Sequence, residues 1–172
     1  MSVLIFVCVG SRQYQFNRLL KKLDELVEQG LIKEDVFAQI GESDYKPKYY
    51  SYKKFITPEE YDQYINQSIL VISHGGSGSV IKALKAGKQV IAVPRLAKYK
   101  EHINDHQLQI VETFVSNKYV LAVYEMDELY GAIKAYMEKT ADVVKYENRN
   151  TDSIVDRIDI FIKKTFKGIY AQ

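Results

Sequence analysis

The chain has one cysteine, Cys8, in 172 residues. No intramolecular disulfide can form, and the simple reading is a reducing compartment. Long apolar runs are also missing. No stretch approaches the ~18–20 apolar residues of a membrane span. Membrane association is therefore expected to be peripheral or through a partner. The opening residues Met1-Ser2-Val3-Leu4-Ile5-Phe6-Val7 lack a basic n-region and give way to polar residues after Gly10. They read as a first strand rather than a signal peptide. Excess charge is absent too: 24 basic side chains against 22 acidic ones leave +2. That balance does not suggest nucleic-acid binding, which needs a concentrated basic face. No internal repeat or low-complexity segment stands out. The glycines at 75–78 are not followed by Gly-Lys-Ser/Thr, and the dinucleotide fingerprint is missing at the first strand. These absences argue against a P-loop kinase and, more weakly, against a dinucleotide-dependent dehydrogenase.

What is present is enough apolar material, 47% of the residues, for the core of one domain spanning 1–172. Residues 3–9 are continuously apolar, the pattern of a buried parallel strand. Phe16, Leu19, Leu20, Leu23, Leu26 and Val27 recur at helical spacing up to Gly30. A second strand is expected over 36–40, closed by Gly41, then a Tyr- and Lys-rich surface loop with a short strand near 52–56. Thr57-Pro58-Glu59-Glu60 has the cap, the proline and the acids of a helix start. Strand 69–73, a glycine loop, helix 79–86 and strand 89–93 follow. A helix carrying Leu108, Ile110, Val111 and Phe114 comes next, then strand 119–123 and a helix from Met126 to Met137. Residues 138–150 read as a connector. Ile154, Ile158, Phe161, Ile162 and Phe166 mark a terminal amphipathic helix over 150–168. This alternation predicts a Rossmann-like three-layer α/β sandwich with a mostly parallel sheet. Its expected core includes Leu4, Phe6, Val7, Leu70, Val71, Ile72, Val90, Ile91, Val93, Leu121 and Val123.

The most informative segment is His74-Gly75-Gly76-Ser77-Gly78-Ser79, between a strand and a helix. Such a turn presents backbone N–H groups to an anion, and the helix start adds partial positive charge. A phosphorylated ligand is indicated, with His74 at the mouth of the loop. In an open parallel sheet, ligands bind beyond the carboxyl ends of the strands. Two further segments are expected there: Gly10-Ser11-Arg12 and the stretch 94–107. For Gly10 and Gly41, plain turn chemistry is the alternative. In the second stretch, Arg95, Lys98, Lys100, Glu101, Asn104, Asp105 and Gln107 read either as a solvated connector with a helix cap or as recognition of hydroxyls and phosphates. His102 and His106, four apart, would share a helix face and raise the alternative of a zinc site. The residues between them do not form the metalloprotease pattern, and no metal is expected.

Phe6-Val-Cys-Val-Gly10, the 74–79 loop, Ala83-Leu-Lys-Ala-Gly-Lys-Gln-Val-Ile-Ala-Val-Pro94-Arg95 and Glu101-His-Ile-Asn-Asp-His-Gln107 together resemble a known family. They look like the nucleotide-binding, C-terminal half of GT-B glycosyltransferases, including the C-terminal domain of glycosyltransferase family 28. More narrowly, they are similar to the small catalytic subunit of the split UDP-N-acetylglucosamine transferase of dolichol-linked oligosaccharide assembly. The Arg95 and 101–107 details look most like bacterial relatives that build capsule or exopolysaccharide. The resemblance runs from the first strand to about residue 123. Eukaryotic members usually carry Ala at the place of Gly75 and Asn at that of Asp105. The departure supports the bacterial branch and leaves the donor sugar open.

The resemblance implies a UDP-sugar substrate, no cofactor, and a diphosphate over His74, Gly75, Gly76, Ser77, Gly78 and Ser79. It places Asn104, His106 and Gln107 toward the donor sugar and Gly10 at the border of the cleft. Arg95, Glu101 and Asp105 join the candidate binding set, and His74 and His106 are the catalytic candidates. It further implies a membrane-anchored acceptor-half subunit and a lipid-linked saccharide acceptor. The chain would then be cytoplasmic, peripheral on the inner face of the plasma membrane. Galactose is the favoured donor sugar on resemblance alone. The alternatives are a non-catalytic nucleotide-binding subunit and a structural one. The terminal stripe reads either as packing on the chain's own sheet or as docking on the partner, with self-association when isolated.

Overall fold

The computed structural model describes residues 4–144 and, beyond them, only positions 160, 162 and 164. Six strands form one sheet: β1 (Leu4–Cys8), β2 (Asp35–Gln39), β3 (Ser51–Lys53), β4 (Ser68–Ser73), β5 (Gln89–Ala92) and β6 (Leu121–Ala122). Their order is β3-β2-β1-β4-β5-β6. Every pairing is parallel. The helices are α1 (Asn17–Glu28), α2 (Pro58–Gln67), α3 (Ser77–Lys85), α4 (His106–Ser116) and α5 (Leu129–Met137).

The alternation of side chains along β1 builds both halves of the core. Ile5, Val7 and Val9 pack with Leu19, Leu20 and Leu23 of α1 and with Leu129 and Ile133 of α5. Phe6 and Cys8 face Ile65 of α2, Val80 and Leu84 of α3, and Phe114 of α4. Buried on both faces, β1 must be apolar throughout, which is why its sequence shows no alternation. The three-layer sandwich is as predicted, and the sheet is parallel throughout.

Several boundaries differ from expectation. The third strand lies at Ser51–Lys53, a little before the predicted 52–56. The predicted 119–123 strand is reduced to Leu121–Ala122, because β6 is an edge strand that pairs with β5 alone. Helix α3 starts at Ser77 rather than 79, so the last residues of the glycine loop are its first turn. Met126 lies in a short 3-10 turn before α5. Nine of the expected core residues are buried, from Phe6 through Val123. Leu4 and Leu121 are only half-buried. Leu4 sits where the β1–β4 register shifts, and Leu121 lies on the sheet edge.

The predicted cap of α2 is complete. Glu60 N–H donates to Thr57 Oγ1 (3.2 Å) and Thr57 N–H to the Glu60 carboxylate (2.9 Å), with Pro58 in the first turn. The Tyr-rich loop is tied to α1 by Asp24, which is buried although charged. Its carboxylate accepts from Tyr45 Oη (2.7 Å), Lys48 N–H (2.9 Å) and Tyr49 N–H (2.8 Å). The bond to Asp24 helps push the Tyr45 hydroxyl up to about 12. Asp24→Ala would leave these donors without their acceptor, so it is expected to cost about 3 kcal/mol of stability, read as a lower urea midpoint.

Of the terminal stripe, Ile154, Ile158, Phe161 and Phe166 lie outside the described residues. Ile162 is fully buried in the core beneath α2–α4, while Ile160 is 62% exposed. At Ile162 the stripe packs on the chain's own domain. Among the described residues, no helix is long and apolar enough to cross a membrane.

Candidate functional site

The strand order reverses between β1 and β4: from β1 the chain moves to β2 and β3 on one side, then to β4, β5 and β6 on the other. Loops leaving adjacent strands at such a point diverge and open a crevice. A cavity of about 250 Å³ lies there. It is lined by Gly10, Ser11 and Arg12 after β1, by His74, Gly76, Ser77, Gly78 and Ser79 after β4, and by His102, Gln107 and Ile110. The three segments expected to converge therefore do so.

The three glycines of the loop differ in their surroundings. Gly75 has φ +82°, and a Cβ there would lie 2.7 Å from Val111 Cγ2, so this position serves the turn and the packing. A Cβ on Gly76 would collide with the His74 imidazole, 2.9 Å from Cε1. Around Gly78 the space is open, with nothing within 4 Å of the Cβ position. The protein itself does not require glycine there. Gly76 is the N-cap of α3, and no side chain caps this end of the helix. The first-turn amides of α3 thus meet the cavity where the helix dipole is positive.

His74 stands between the two loops. Its Nδ1 is 3.2 Å from the Cys8 carbonyl oxygen. Burial, with the nearby Arg95 charge, holds the imidazole pKa down to about 3. The ring is neutral at physiological pH. Because a carbonyl can only accept, the proton sits on Nδ1, and Nε2 remains an acceptor. His74 is therefore no cation for a phosphate; the cation of the cavity wall is Arg12. Cys8 beneath is buried, receives the Tyr61 hydroxyl at 3.4 Å, and has its thiol pushed up by burial.

Gly75, Arg95, Glu101, Asn104 and Asp105 are not part of the cavity wall. Arg95 is buried, 1% exposed, and its Nη2 donates to the carbonyls of Val9 (2.6 Å) and Tyr14 (3.1 Å), bracketing the loop after β1. Burial lowers its guanidinium to about 10. Glu101 is equally buried, and both of its oxygens are engaged. Oε1 meets Arg18 Nε at 2.7 Å and Oε2 accepts Leu96 N–H at 3.0 Å. Burial outweighs these partners and raises its carboxyl pKa. Asp105 Oδ1 accepts Ala97 N–H (2.8 Å), folding the 97–105 loop on itself. Gln107 reaches the cavity while its Oε1 accepts Arg95 N–H (3.0 Å).

The expected helix face shared by His102 and His106 does not form. His102 lies in the loop before α4, which begins at His106, and its Nδ1 contacts the Asn104 backbone. Among the described residues, no group of three or more His, Cys, Asp or Glu could hold a metal ion. His102 itself is a cavity residue that the sequence suggested only as a ligand for zinc.

Fold and site together define a Rossmann-like α/β domain of the kind that forms the C-terminal half of GT-B glycosyltransferases. Residues 4–160 match the model of the glycosyltransferase family 28 C-terminal domain, and the chain belongs to that family. It is 34% identical over 71 residues to the UDP-N-acetylglucosamine transferase subunit ALG13 of Yarrowia lipolytica, an alignment covering 41% of this chain and 34% of that protein. The match thus spans about a third of the curated relative's length. Among solved structures, the glycotransferase of kitacinnamycin aligns with a TM-score of 0.60 at 17% identity, covering 95% of this chain and 38% of that one. The UDP-GlcNAc 2-epimerase of Neisseria meningitidis, solved bound to UDP-GlcNAc, aligns with a TM-score of 0.58 at 12% identity, covering 96% and 44%. The last two likenesses concern the fold alone, which serves transferases and an epimerase alike.

Proposed function

We propose that this chain is the donor-binding catalytic subunit of a heteromeric glycosyltransferase that uses a UDP-sugar. The observation that carries this reading is Gly78: it lines the cavity in the first turn of α3, and nothing in the protein requires a glycine there. A ligand that must come close to the backbone supplies the missing reason, and an uncapped helix start suits a diphosphate. Membership of the glycosyltransferase family supports a transferase over an epimerase.

In the reaction, the acceptor hydroxyl oxygen bonds to the anomeric carbon, the bond from that carbon to the diphosphate breaks, and UDP leaves. The hydroxyl proton passes to a base. The amides of α3 and the Arg12 charge stabilise the leaving diphosphate. His74 is a catalytic candidate as a neutral acceptor at the cavity. His106, the first residue of α4, is the other. A base on the acceptor half remains equally compatible with this geometry. That half belongs in this reading to a separate membrane-anchored subunit, which would hold the chain at the inner face of the plasma membrane. The acceptor is a lipid-linked saccharide of bacterial surface polysaccharide synthesis. Galactose is the first donor to test, and the name of the Yarrowia relative makes N-acetylglucosamine its competitor.

The test is transfer by the complex assembled with its partner, with UDP-galactose, UDP-glucose, UDP-glucuronic acid and UDP-N-acetylglucosamine compared as donors. One sugar is expected to turn over, and only when partner and lipid-linked acceptor are both present. A complex that shows no UDP binding by calorimetry would refute the reading. UDP binding without transfer of any sugar would leave a non-catalytic nucleotide-binding subunit.

A further inference from the structure

Gln39 ends β2, next to β1, and its side chain is buried at 5% exposure. Its Nε2 donates to the Gly10 carbonyl (3.0 Å) and to the Lys54 carbonyl (3.1 Å). Two carbonyls around one atom fix the orientation of the amide, because only its NH2 end can serve both. The chain crowds this contact further. Gly41 has φ +55°, and a Cβ there would lie 2.6 Å from the Gly10 oxygen. The Gly10 carbonyl is thus held toward β2 and β3, while Gly10 itself lines the cavity. Peptide bonds in the described chain are trans, so the N–H of Ser11 points opposite to the Gly10 C=O. Ser11 also lines the cavity, and among the described residues its N–H has no acceptor.

We infer that Gln39 is a positioning residue of the anion cradle: by holding the Gly10 carbonyl it turns the Ser11 N–H into the cavity, opposite the α3 amides, as a donor to the diphosphate of a nucleotide. The inference rests on the nucleotide-binding reading above. Gln39 touches no ligand; it fixes the direction of a peptide that does. Gly10, at φ +81° and with its Cβ position 2.9 Å from His74 Nε2, is the residue that lets the loop turn this way. Preorganised backbone donors of this kind need no reorganisation when the anion arrives.

The experiment uses the full chain, labelled with 15N and titrated with UDP and separately with uridine, which lacks the diphosphate. The Ser11 amide is expected to shift with UDP and not with uridine. Gln39→Met keeps the length of the side chain and removes both donors. It is expected to weaken UDP about tenfold, the scale of one lost aligned hydrogen bond to a charged group, while uridine binding stays within about twofold. If the variant does not fold, the wild-type titration still decides. UDP shifts at Gly76–Ser79 without one at Ser11 would overturn this inference and leave the nucleotide reading standing. Equal losses of UDP and uridine affinity in Gln39→Met would also overturn it, as a merely structural effect. No shift anywhere at millimolar UDP would overturn both.

Discussion

Gly76→Ala is expected to abolish measurable UDP binding, with a loss of at least about a hundredfold, roughly 2.7 kcal/mol. The backbone is not the obstacle, because Gly76 has φ −65°, which alanine adopts freely. The obstacle is the His74 ring, 2.9 Å from the new Cβ at Cε1 and nearer still at Nε2. The ring can retreat only into the cavity that it lines. Its Nδ1 is held by the Cys8 carbonyl, and Gly10 closes in on the other side. Either the imidazole leaves its seat or the start of α3 moves away, and both distort the cradle. The accompanying loss of stability should be that of a local overpacking, about 1–3 kcal/mol. Gly78→Ala separates the two effects. Its Cβ meets open space, and alanine is the better helix former by up to about 1 kcal/mol. Stability should hold or rise while UDP affinity falls. Calorimetry with UDP beside urea unfolding of both variants checks this. Unchanged UDP binding by Gly78→Ala would remove the main support for a close-approaching diphosphate.

The second large effect is on pH dependence. In the folded protein His74 stays neutral down to about pH 3, whereas an unfolded histidine protonates near 6.5. Between those values the unfolded chain binds a proton that the native one does not. Stability therefore rises with pH through this window and is lost on acidification, by up to about 1.4 kcal/mol per pH unit. From pH 7 to pH 5 the integrated loss from His74 is about 2 kcal/mol. Burial also lowers the His102 imidazole pKa, which acts in the same direction. Carboxylates contribute to any such measurement, so the comparison must be with a variant. His74→Asn keeps a donor for the Cys8 carbonyl and cannot titrate. Its unfolding free energy should fall about 2 kcal/mol less than that of the wild type between the two pH values. Equal falls would mean that the folded protein accepts the proton as readily as the unfolded chain, and the loop would then be cationic at mildly acid pH.

Strands buried on both faces announce themselves along the chain. β1, β4 and β5 read as unbroken apolar runs because, Ile69 at the start of β4 apart, neither face of these runs meets water. The run at 119–123 misleads for the same reason. Val120 and Val123 are buried, but by packing rather than by long strand pairing. The glycine cradle was legible because its chemistry is local: strand, turn and helix start lie within a few residues. Glu101 and Arg95 were not. Their polarity suggests solvent or ligand, yet Glu101 pairs with Arg18 across 83 residues of chain, and Arg95 lies 5.5 Å over the Phe16 ring. Contacts at that range leave no periodicity to detect. Gln39 was hidden in the same way, as one polar residue at the end of a strand whose partner peptide is 29 residues earlier.

The seam between β1 and β4 also governs when the pocket comes into being. During synthesis β1 can pair with β2, and β2 with β3, as soon as the first 53 residues are free. Its other edge must wait until Ser68–Ser73 has been made, after the whole of α2. Parallel strands cannot close by a tight hairpin, so this pairing is inherently non-local and late. A nucleotide spanning both loops would act across that late-formed joint as a clasp, protecting β1 and β4 together from local opening in proportion to its concentration over Kd.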